Sequence, residues 1–206
     1  MATQADRKAK TRARLLHAAR KVFAAKGYAG AAVDDVAIEA GMTKGAVYAH
    51  FRTKEALFLA LLREQGLANL AEVEENLEAT SDHPDDRAAM LTRRFTSGVA
   101  ERDWTSLGLE FILHASRDPA LRRELREFYN RGRELDGELI ARIWTDIGIE
   151  PAIDPEDFDR ILSGLSLTLA IEQLLDPRAD LSPVAKRTFS FLLRAVGHSA
   201  RPKSRR

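Results

Sequence analysis

The amino-acid sequence predicts an all-α protein with an N-terminal three-helix domain and a larger C-terminal helical domain. Apolar residues recur at helical spacing along almost the whole chain, whereas the alternation typical of strands is nearly absent. Glycines and prolines fall where the apolar stripes end or begin. Positive charge is concentrated near the N-terminus, because residues 1–55 carry a net charge of +6 and the remaining residues one of −5. A basic domain joined to an acidic one is typical of proteins that bind a polyanion.

The composition narrows the class of protein further. The 206 residues, 45% of them hydrophobic, are enough to bury a core in one or two domains. The absence of cysteine excludes disulfides and thiolate metal sites and suits the reducing cytoplasm. The longest uncharged apolar run, residues 161–171, is too short to span a bilayer, and the basic N-terminus has no apolar stretch for a secretory signal. We therefore expect a cytoplasmic protein without a membrane partner.

The first helices are predicted to be bounded by glycines and threonines. The first helix carries one apolar stripe and is closed by Gly27, because glycine suits the left-handed position after a helix. The second, residues 33–40, is closed by Gly41 in the same way. Thr43 can cap a third helix, and Thr53 can cap a fourth. The residues of the first stripe are Leu15, Leu16, Ala19, Val22 and Phe23.

The helices of the C-terminal domain are longer and share a start signal, a capping residue followed by proline. This signal occurs at Asp118-Pro119, Asp154-Pro155 and Ser182-Pro183. The helix that begins at Pro119 is expected to end near Gly148. The tail, residues 199–206, is basic, lacks apolar anchors and is expected to be disordered.

The second and third helices, joined by a glycine-containing turn, have the frame of a helix-turn-helix. The third, residues 43–52, is about the size that fits the major groove of B-DNA, roughly 12 Å wide. Val47 and Phe51 face inward, so the opposite side carries groups that can contact phosphates or base edges. Lys54 opens the next helix and is predicted to reach a phosphate rather than a base. The candidate DNA-binding residues are Thr43, Lys44, Gly45, Ala46, Tyr48, His50 and Lys54.

The segment VDDVAIEAGMTKGAVYAHFRTKEALFLALL, residues 33–62, resembles the N-terminal DNA-binding domain of the TetR family of transcriptional regulators. The family pattern joins an aliphatic-alanine run, an Ala-Gly pair, a Ser/Thr-Lys-Gly turn, an aromatic Tyr, a Phe and a Lys-Glu-x-Leu. These features fall here on Val36-Ala37, Ala40-Gly41, Thr43-Lys44-Gly45, Tyr48, Phe51 and Lys54-Glu55-Ala56-Leu57. The motif is long, continuous and specific, and it covers about a quarter of the chain.

The resemblance implies a repressor that binds double-stranded operator DNA as a homodimer and is released by a small-molecule effector. It implies a DNA-binding domain over residues 1–55 with a basic N-terminal arm, and an effector-binding and dimerisation domain over residues 56–198. The chain departs from the family at one place, since Ala31-Ala32 stands where the family has Ser or Thr before the second helix. Either Asp34 or water then caps this helix, or one phosphate contact is lost. We therefore expect somewhat weaker contact with the DNA backbone, and not a loss of binding.

Two helices of the C-terminal domain are candidates for the dimer interface. Residues 161–171 are apolar on all sides apart from small hydroxyls and a glycine, so they must be covered all round. Paired with their copies, this helix and the last one would form an isologous four-helix interface. The alternative is that both belong to the core of one chain, but a monomeric helix-turn-helix grips little DNA. The predicted interface residues are Ile161, Leu165, Leu169, Phe189, Leu192 and Leu193.

The effector site is predicted to be an apolar cavity, and the effector a largely apolar molecule. The candidate lining residues, which could equally be plain core, are Trp104, Leu107, Phe111, His114, Phe128 and Trp144. Glu110 and His114 lie one turn apart, which fits a polar anchor inside the cavity. They also belong to a polar stripe at helical spacing. We favour a solvent-facing position for the two residues, because ionisable groups are rarely buried unpaired.

Two other classes of function compete with a DNA-binding regulator. An enzyme is disfavoured, because the five histidines show no metal-ligand spacing and the chain has no nucleophile-elbow, Walker or dinucleotide-binding motif. We accordingly expect no catalytic residue, metal or cofactor. The second alternative is a helical interaction module whose basic domain binds a protein or a membrane and does not recognise DNA specifically. The cations cluster before Leu15, which fits an arm that reaches DNA better than a membrane-bound helix.

Overall fold

In a computed structural model the protein is described at residues 3–80, 83–100, 102–146, 148 and 150–198. The regular elements of these residues are α-helices and no strand occurs among them, which confirms the predicted all-α class. The helices are α1 (Gln4–Gly30), α2 (Val33–Glu39), α3 (Lys44–His50), α4 (Lys54–Ala79), α5 (Pro84–Ala100), α6 (Arg102–Ala115), α7 (Pro119–Asp146), α8 (Pro155–Leu175) and α9 (Ser182–His198). In the described parts of the chain, no helix is long and apolar enough to cross a lipid bilayer. The predicted disordered tail, residues 199–206, lies outside the described residues.

The chain forms two compact units. Unit 1 lies within residues 1–69 and 106–126, and unit 2 lies within residues 70–105 and 127–206. The helices α4, α6 and α7 therefore contribute residues to both units. These units do not coincide with the boundary at residue 55 drawn from the sequence, because the start of α4 and most of α6 pack with the first three helices. The functional division at that residue stays a prediction.

Unit 1 begins close to what the sequence predicts, because one glycine breaks its first helix and another follows its second. Regular geometry in α1 breaks at Gly27, whose φ of 70° lies in the left-handed region that glycine adopts at little cost. Gly41, with a φ of 61°, follows α2 and turns the chain into α3. The core of this unit is aromatic, and its neighbouring ring centroids lie 4.5 to 5.9 Å apart. The rings belong to Phe23, Tyr28, Phe58 and Phe111.

Unit 2 is built on α5, α8 and α9, which pack on one another, and α7 adds apolar side chains to their core. The start signals predicted at Asp118 and Asp154 are confirmed, since both carboxylates accept N–H groups from the first turn of the following helix. The helix α9 begins one residue earlier than predicted, at Ser182, whose N–H donates to Asp180 Oδ1 at 3.1 Å. Ser182 is therefore the first helical residue and not the cap.

Several predicted dimer-interface residues belong to the core of a single chain, which corrects the sequence-based assignment. Leu169, Phe189 and Leu193 are 6%, 0% and 6% exposed and pack in the cluster formed by α5, α7, α8 and α9. Leu165 and Leu192 are partly buried against the same cluster. Helical periodicity marks such positions as apolar, but the neighbour that covers them is decided by the packing of distant helices.

Candidate nucleic-acid interface

The short helix α3 is fixed to unit 1 by its apolar side. Val47 is fully buried, and Phe51 at the end of the helix is 5% exposed. Thr43 caps the start as predicted, since its Oγ1 accepts the Ala46 N–H at 3.2 Å. A helix of seven residues is not stable in isolation, so this packing is what holds it in place. On the opposite side the structure leaves Thr43, Lys44, Gly45 and Tyr48 exposed, with Ala46 and His50 half-buried.

Lys44, at the tip of α3, forms an ion pair with Asp34 in the first turn of α2. The Lys44 Nζ lies 2.8 Å from one carboxylate oxygen of Asp34 and 3.0 Å from the other. Both side chains are 57% exposed, so water and ions reach the pair. The hydrogen bond to Asp34 and its negative charge raise the pKa of Lys44. Lys44, the cation at the exposed start of α3, is therefore already paired with an anion in the absence of DNA.

At the start of α2, where this chain has Ala31-Ala32 in place of the family's Ser or Thr, an aspartate forms the capping contact. Ala32 is the N-cap residue, and its methyl group cannot accept an N–H. Asp35 Oδ2 accepts the Ala32 N–H at 3.0 Å, and Asp35 Oδ1 pairs with Lys26 Nζ at 2.7 Å. The hydrogen bonds from Lys26 and Ala32 hold the pKa of Asp35 below its ordinary value. Of the alternatives left open by the sequence, a cap by Asp34 is not observed among the described residues; Asp35 supplies the half of a capping box that alanine leaves possible.

Lys54, which was predicted to reach a phosphate, has partners inside the chain. Its Nζ donates to the carbonyl oxygens of Tyr28 at 2.8 Å and of Ala31 at 3.0 Å. The same atom lies 4.5 Å from the centroid of the Tyr28 ring. Lys54 thus satisfies carbonyl groups at the end of α1, where helical partners run out. An ammonium has three donors, so a phosphate contact would use the third, and that contact stays a prediction.

The basic N-terminal arm, residues 3–14, is a projecting part of α1. Thr3 and Asp6 exchange hydrogen bonds of 2.8 and 3.1 Å that form a complete capping box at its start. The first buried residue of α1 is Leu15, so the eleven helical residues before it extend about 16 Å beyond the core. The arm is therefore an ordered helix that displays its cations to solvent. These cations are Arg7, Lys8, Lys10, Arg12 and Arg14.

The base of the arm contacts the helix-turn-helix. The Arg12 guanidinium lies over the Phe51 ring, 5.4 Å from its centroid, at the end of α3. Arg14 Nη2 donates to the Ala40 carbonyl at 3.0 Å, at the end of α2. The positive charge of the arm thus continues directly from the helix that carries the candidate DNA-binding residues.

His114 is exposed, as the favoured solvent-facing arrangement predicts, and Glu110 is half-buried; both side chains also have polar partners in unit 1. Glu110 Oε2 accepts the Ala29 N–H at 3.1 Å. His114 Nε2 lies 3.3 Å from Glu55 Oε1, and the same oxygen accepts the Tyr28 hydroxyl at 3.2 Å. Burial raises the pKa of Tyr28, and the charge of Glu55 raises it further. These polar contacts tie α6 to the end of α1 and to the start of α4 within unit 1.

The six candidate effector residues are divided between the units. Leu107, Phe111 and His114 lie in unit 1, whereas Trp104, Phe128 and Trp144 lie in unit 2. Phe111 is fully buried in the aromatic core of unit 1, so packing accounts for it. Trp144 is 2% exposed and its ring lies 5.2 Å from that of Phe158. Among the described residues, the Trp144 Nε1–H has no hydrogen-bond acceptor, which costs free energy in a buried position.

Unit 2 also buries charge that the sequence analysis did not predict. Arg94 Nη2 lies 3.1 Å from both carboxylate oxygens of Asp136. Asp159 on α8 is 1% exposed, and the Ser163 hydroxyl donates to it at 3.2 Å. Burial, together with the charge of Asp136, raises the pKa of Asp159 to about 6. The sequence feature that could have indicated this burial is an acidic residue, Asp159, on the apolar side of a helix.

Comparisons with known proteins agree on one family. Residues 15–61 match the bacterial regulatory proteins of the tetR family, and residues 83–196 match the C-terminal part of BetI-type transcriptional repressors. The HTH-type transcriptional regulator CymR of Pseudomonas putida is 30% identical over 167 residues, which cover 78% of this chain and 76% of CymR. The chain belongs to the TetR family.

Other members of the TetR family are similar over smaller parts or in fold alone. The HTH-type transcriptional repressor AcnR of Corynebacterium efficiens is 32% identical over 117 residues, which cover 57% of each chain. A transcriptional regulator from Saccharomonospora viridis, solved in complex with choline, shares the fold with a TM-score of 0.71 at 21% identity. That match covers 90% of this chain and 96% of the other. TetR-family proteins are transcriptional regulators that bind operator DNA and dimerise, so this chain is a DNA-binding transcriptional regulator.

Two residues of this TetR-family domain were missed as functional candidates, Asp34 and Asp35. Acids in the first turn of a helix are favoured by its dipole, and this was the signal present in the sequence. Their separate partners, Lys44 for Asp34 and Lys26 for Asp35, lie ten and nine residues away, so the pairing depends on how the helices cross.

Proposed function

We propose that this chain is a homodimeric repressor that binds its operator through α3 and leaves it when a small molecule occupies the C-terminal domain. The observation that carries the proposal is the presentation of α3, whose inner side is anchored by Val47 and Phe51 and whose outer side exposes Lys44 and Tyr48 beside the basic arm. The residues proposed to contact DNA are Thr43, Lys44, Gly45, Ala46, Tyr48, His50 and Lys54. The proposal places the protein in the cytoplasm, with a regulatory and not a catalytic activity.

The proposed dimer interface uses the outer sides of α8 and α9. Ile161 is 50% exposed, Val184 40% and Phe191 69%, which is costly for large apolar side chains in water. Leu165 and Leu192 are partly buried and lie beside them on the two helices. A second copy that covers these residues would bury both apolar surfaces by two-fold symmetry. The core residues Leu169, Phe189 and Leu193 then support the interface from behind.

The effector is proposed to bind in unit 2, near the indole of Trp144. The unsatisfied Nε1–H of that side chain supplies a donor within the hydrophobic cluster of unit 2. Trp104 and Phe128, both half-buried, remain proposed lining residues, whereas the contacts of Leu107, Phe111 and His114 in unit 1 favour a role in joining α6 to the N-terminal domain. The choline bound to the Saccharomonospora viridis protein supports a small-molecule site in this fold.

The test is selection of a duplex from a random DNA pool by the purified protein, followed by binding measurements on the selected and a shuffled duplex. We expect one sequence family to be enriched and to bind more tightly than the shuffled duplex at two salt concentrations. Tyr48→Ala should lower the affinity for the selected duplex by roughly ten- to hundredfold while the thermal unfolding curve is unchanged, because Tyr48 is 42% exposed and does not carry the packing.

Equal affinity for both duplexes would instead favour the alternative, a helical interaction module whose basic domain does not recognise DNA specifically. Unchanged binding by the Tyr48→Ala variant would show that another surface reads the operator. Loss of folding in that variant would contradict the anchoring of α3 by Val47 and Phe51.

A further inference from the structure

The pairing of Lys44 with Asp34 has a consequence for how the protein tells its operator from other DNA. Lys44 lies at the exposed tip of α3, yet its Nζ is held 2.8 Å from a carboxylate oxygen of Asp34. The neighbouring acids are engaged elsewhere, because Asp35 pairs with Lys26 and Glu39 pairs with Lys21. Asp34 is therefore the described acid that acts on Lys44 directly.

We propose that Asp34 is a specificity-determining residue of the DNA-binding domain, which holds Lys44 and thereby weakens binding to random DNA more than binding to the operator. The inference rests on the proposed contact of Lys44 with DNA. Asp34 itself touches no base in this proposal; it acts through the lysine that it positions.

The physical reason is the different origin of affinity for the two kinds of DNA. Binding to random duplex comes almost entirely from cations that displace counterions from phosphates. A lysine already neutralised by a carboxylate displaces fewer counterions, so Asp34 removes part of that affinity. On the operator, Lys44 can keep Asp34 and donate a remaining N–H of its ammonium to a fixed acceptor such as the O6 or N7 atom of guanine. The ion pair then orients Lys44 toward that acceptor, so it costs less affinity on the operator than on random DNA.

The exposure of the pair sets the size of the effect. Both side chains are 57% exposed, and exposed ion pairs exchange readily with water and contribute little to stability. Breaking the pair therefore does not block binding, and the discrimination expected from it is a factor of roughly two to five. Because the acid lies on the surface, its removal should leave the fold intact.

The experiment is a double-mutant cycle on the full-length chain. Wild type, Asp34→Asn, Lys44→Ala and the double variant are titrated at several salt concentrations with a duplex enriched from a random pool and with its shuffled counterpart. Asp34→Asn should raise the affinity for the shuffled duplex roughly two- to fivefold and that for the enriched duplex less. It should also steepen the slope of log K against log salt on the shuffled duplex, by up to about 0.9 for each N-terminal domain engaged. With Lys44→Ala present, these changes should largely disappear.

Glu39→Gln is the matched control, because it removes one exposed negative charge from the end of the same helix and leaves Lys44 untouched. We expect this change to affect both duplexes alike. The proposal is overturned if Asp34→Asn has the same effect with and without Lys44, since the acid would then act by bulk charge alone. It is also overturned if Asp34→Asn weakens binding to the enriched duplex only, since Asp34 would then itself read a base.

The same experiment distinguishes failure of the proposed regulatory function from failure of the inference about Asp34. If no duplex is enriched, the protein does not recognise sequence and both proposals fall. If a duplex is enriched but Lys44→Ala changes neither affinity, the regulator stands and the inference about Asp34 is wrong.

Discussion

A single missing hydroxyl distinguishes the start of α2 from the start of α1. On α1, Thr3 and Asp6 exchange two hydrogen bonds in a complete capping box. On α2, Asp35 accepts the Ala32 N–H, but Ala32 returns no hydrogen bond. The backbone at Ala32 has the geometry of a capping box, and only a side-chain oxygen on residue 32 is absent. Individual side chains thus set the stability of the N-terminal domain without changing its fold.

Ala32→Ser should complete this capping box. We expect the free energy of unfolding to rise by about 0.5–2 kcal/mol, because the serine oxygen accepts an N–H group of the first turn. Urea denaturation followed by circular dichroism measures the change. Ala24→Ser, at an exposed helical position within one turn of Gly27 in α1, is the control and should be neutral or slightly destabilising. A loss of stability in Ala32→Ser would show that the backbone there does not have capping geometry.

Asp159 predicts a dependence of stability on pH. Its pKa in the folded chain is about 6, above the ordinary value of 3.8, because the side chain is buried near Asp136. Between these two values the folded state binds more protons than the unfolded state, so this residue lowers stability as pH rises from about 4 to about 6 and adds no further change above. Asp159→Asn removes the buried charge and keeps an acceptor for the Ser163 hydroxyl.

We therefore expect Asp159→Asn to be more stable than wild type at pH 8 by about 1–3 kcal/mol, with a smaller difference at pH 4. Chemical denaturation at both pH values checks this result. Asp157→Asn is the control, since its carboxylate lies on the same helix, is 60% exposed and pairs with Arg160. Equal effects of the two substitutions at both pH values would mean that Asp159 is not desolvated.

At the scale of an element, the arm is the part of α1 that buries no residue in the core, so core packing does not account for its helical structure. Its eleven helical residues precede the first buried position, and a solvated helix of that length gains little from the core. Lys8 lies one turn before Arg12, on the side that contacts Phe51 at the end of α3, whereas Lys10 lies one turn before Arg14, on the side that contacts Ala40 at the end of α2. The two lysines have the same charge, lie on the same helix and are both exposed, but their side chains project from different sides of that helix.

Lys8→Ala should therefore weaken binding to operator and random duplex by similar factors, and Lys10→Ala should have a smaller effect. If Lys8 meets a phosphate, the slope of log K against log salt should fall by about 0.9 for each N-terminal domain engaged. Salt titrations of both variants on both duplexes measure these slopes. Equal effects of the two substitutions would indicate a diffuse contribution of charge, and an effect on the operator alone would indicate base recognition.

At the scale of the whole molecule, α8 and α9 each have apolar residues on two sides, one in the core of unit 2 and one at the surface. One side of each helix builds the core of unit 2, and the other side leaves Ile161, Val184 and Phe191 exposed. A regulator that dimerises needs a surface that is apolar without being part of the core. These exposed positions meet that need in a way that the buried leucines do not.

Phe191→Arg should separate the dimer into folded monomers. It would bury an unpaired charge at the interface, at a cost of several kcal/mol, beside the existing cations Lys186 and Arg187. Light scattering and operator binding should both report the loss. Leu67→Arg, which changes a similarly exposed apolar residue in α4, should leave a dimer. Leu169→Arg should instead unfold unit 2, because that side chain is 6% exposed in the core. A dimeric Phe191→Arg variant would place the interface elsewhere.

Much of this fold could be predicted from short-range patterns. The break at Gly27, the turn at Gly41, the cap at Thr43 and the inward side of α3 all depend on residues within one or two turns. The family followed from the same stretch, since its motif is continuous in sequence. The start of α9 was misplaced by one residue because Asp180, and not Ser182, accepts the first N–H.

The sequence by itself determined that the chain is helical, where several helices marked by glycine, threonine or an Asp-Pro pair begin or end, and that a short helix with an exposed basic side follows a glycine turn. These properties arise from local backbone geometry and from the period of the apolar residues. The tertiary structure alone decided the partners, namely that Lys54 binds carbonyl groups at the end of α1, that Glu110 reaches Ala29, and that Leu169 belongs to the core. The physical reason is that a period gives each helix an apolar side, whereas the neighbour that covers it depends on how helices distant in the chain cross.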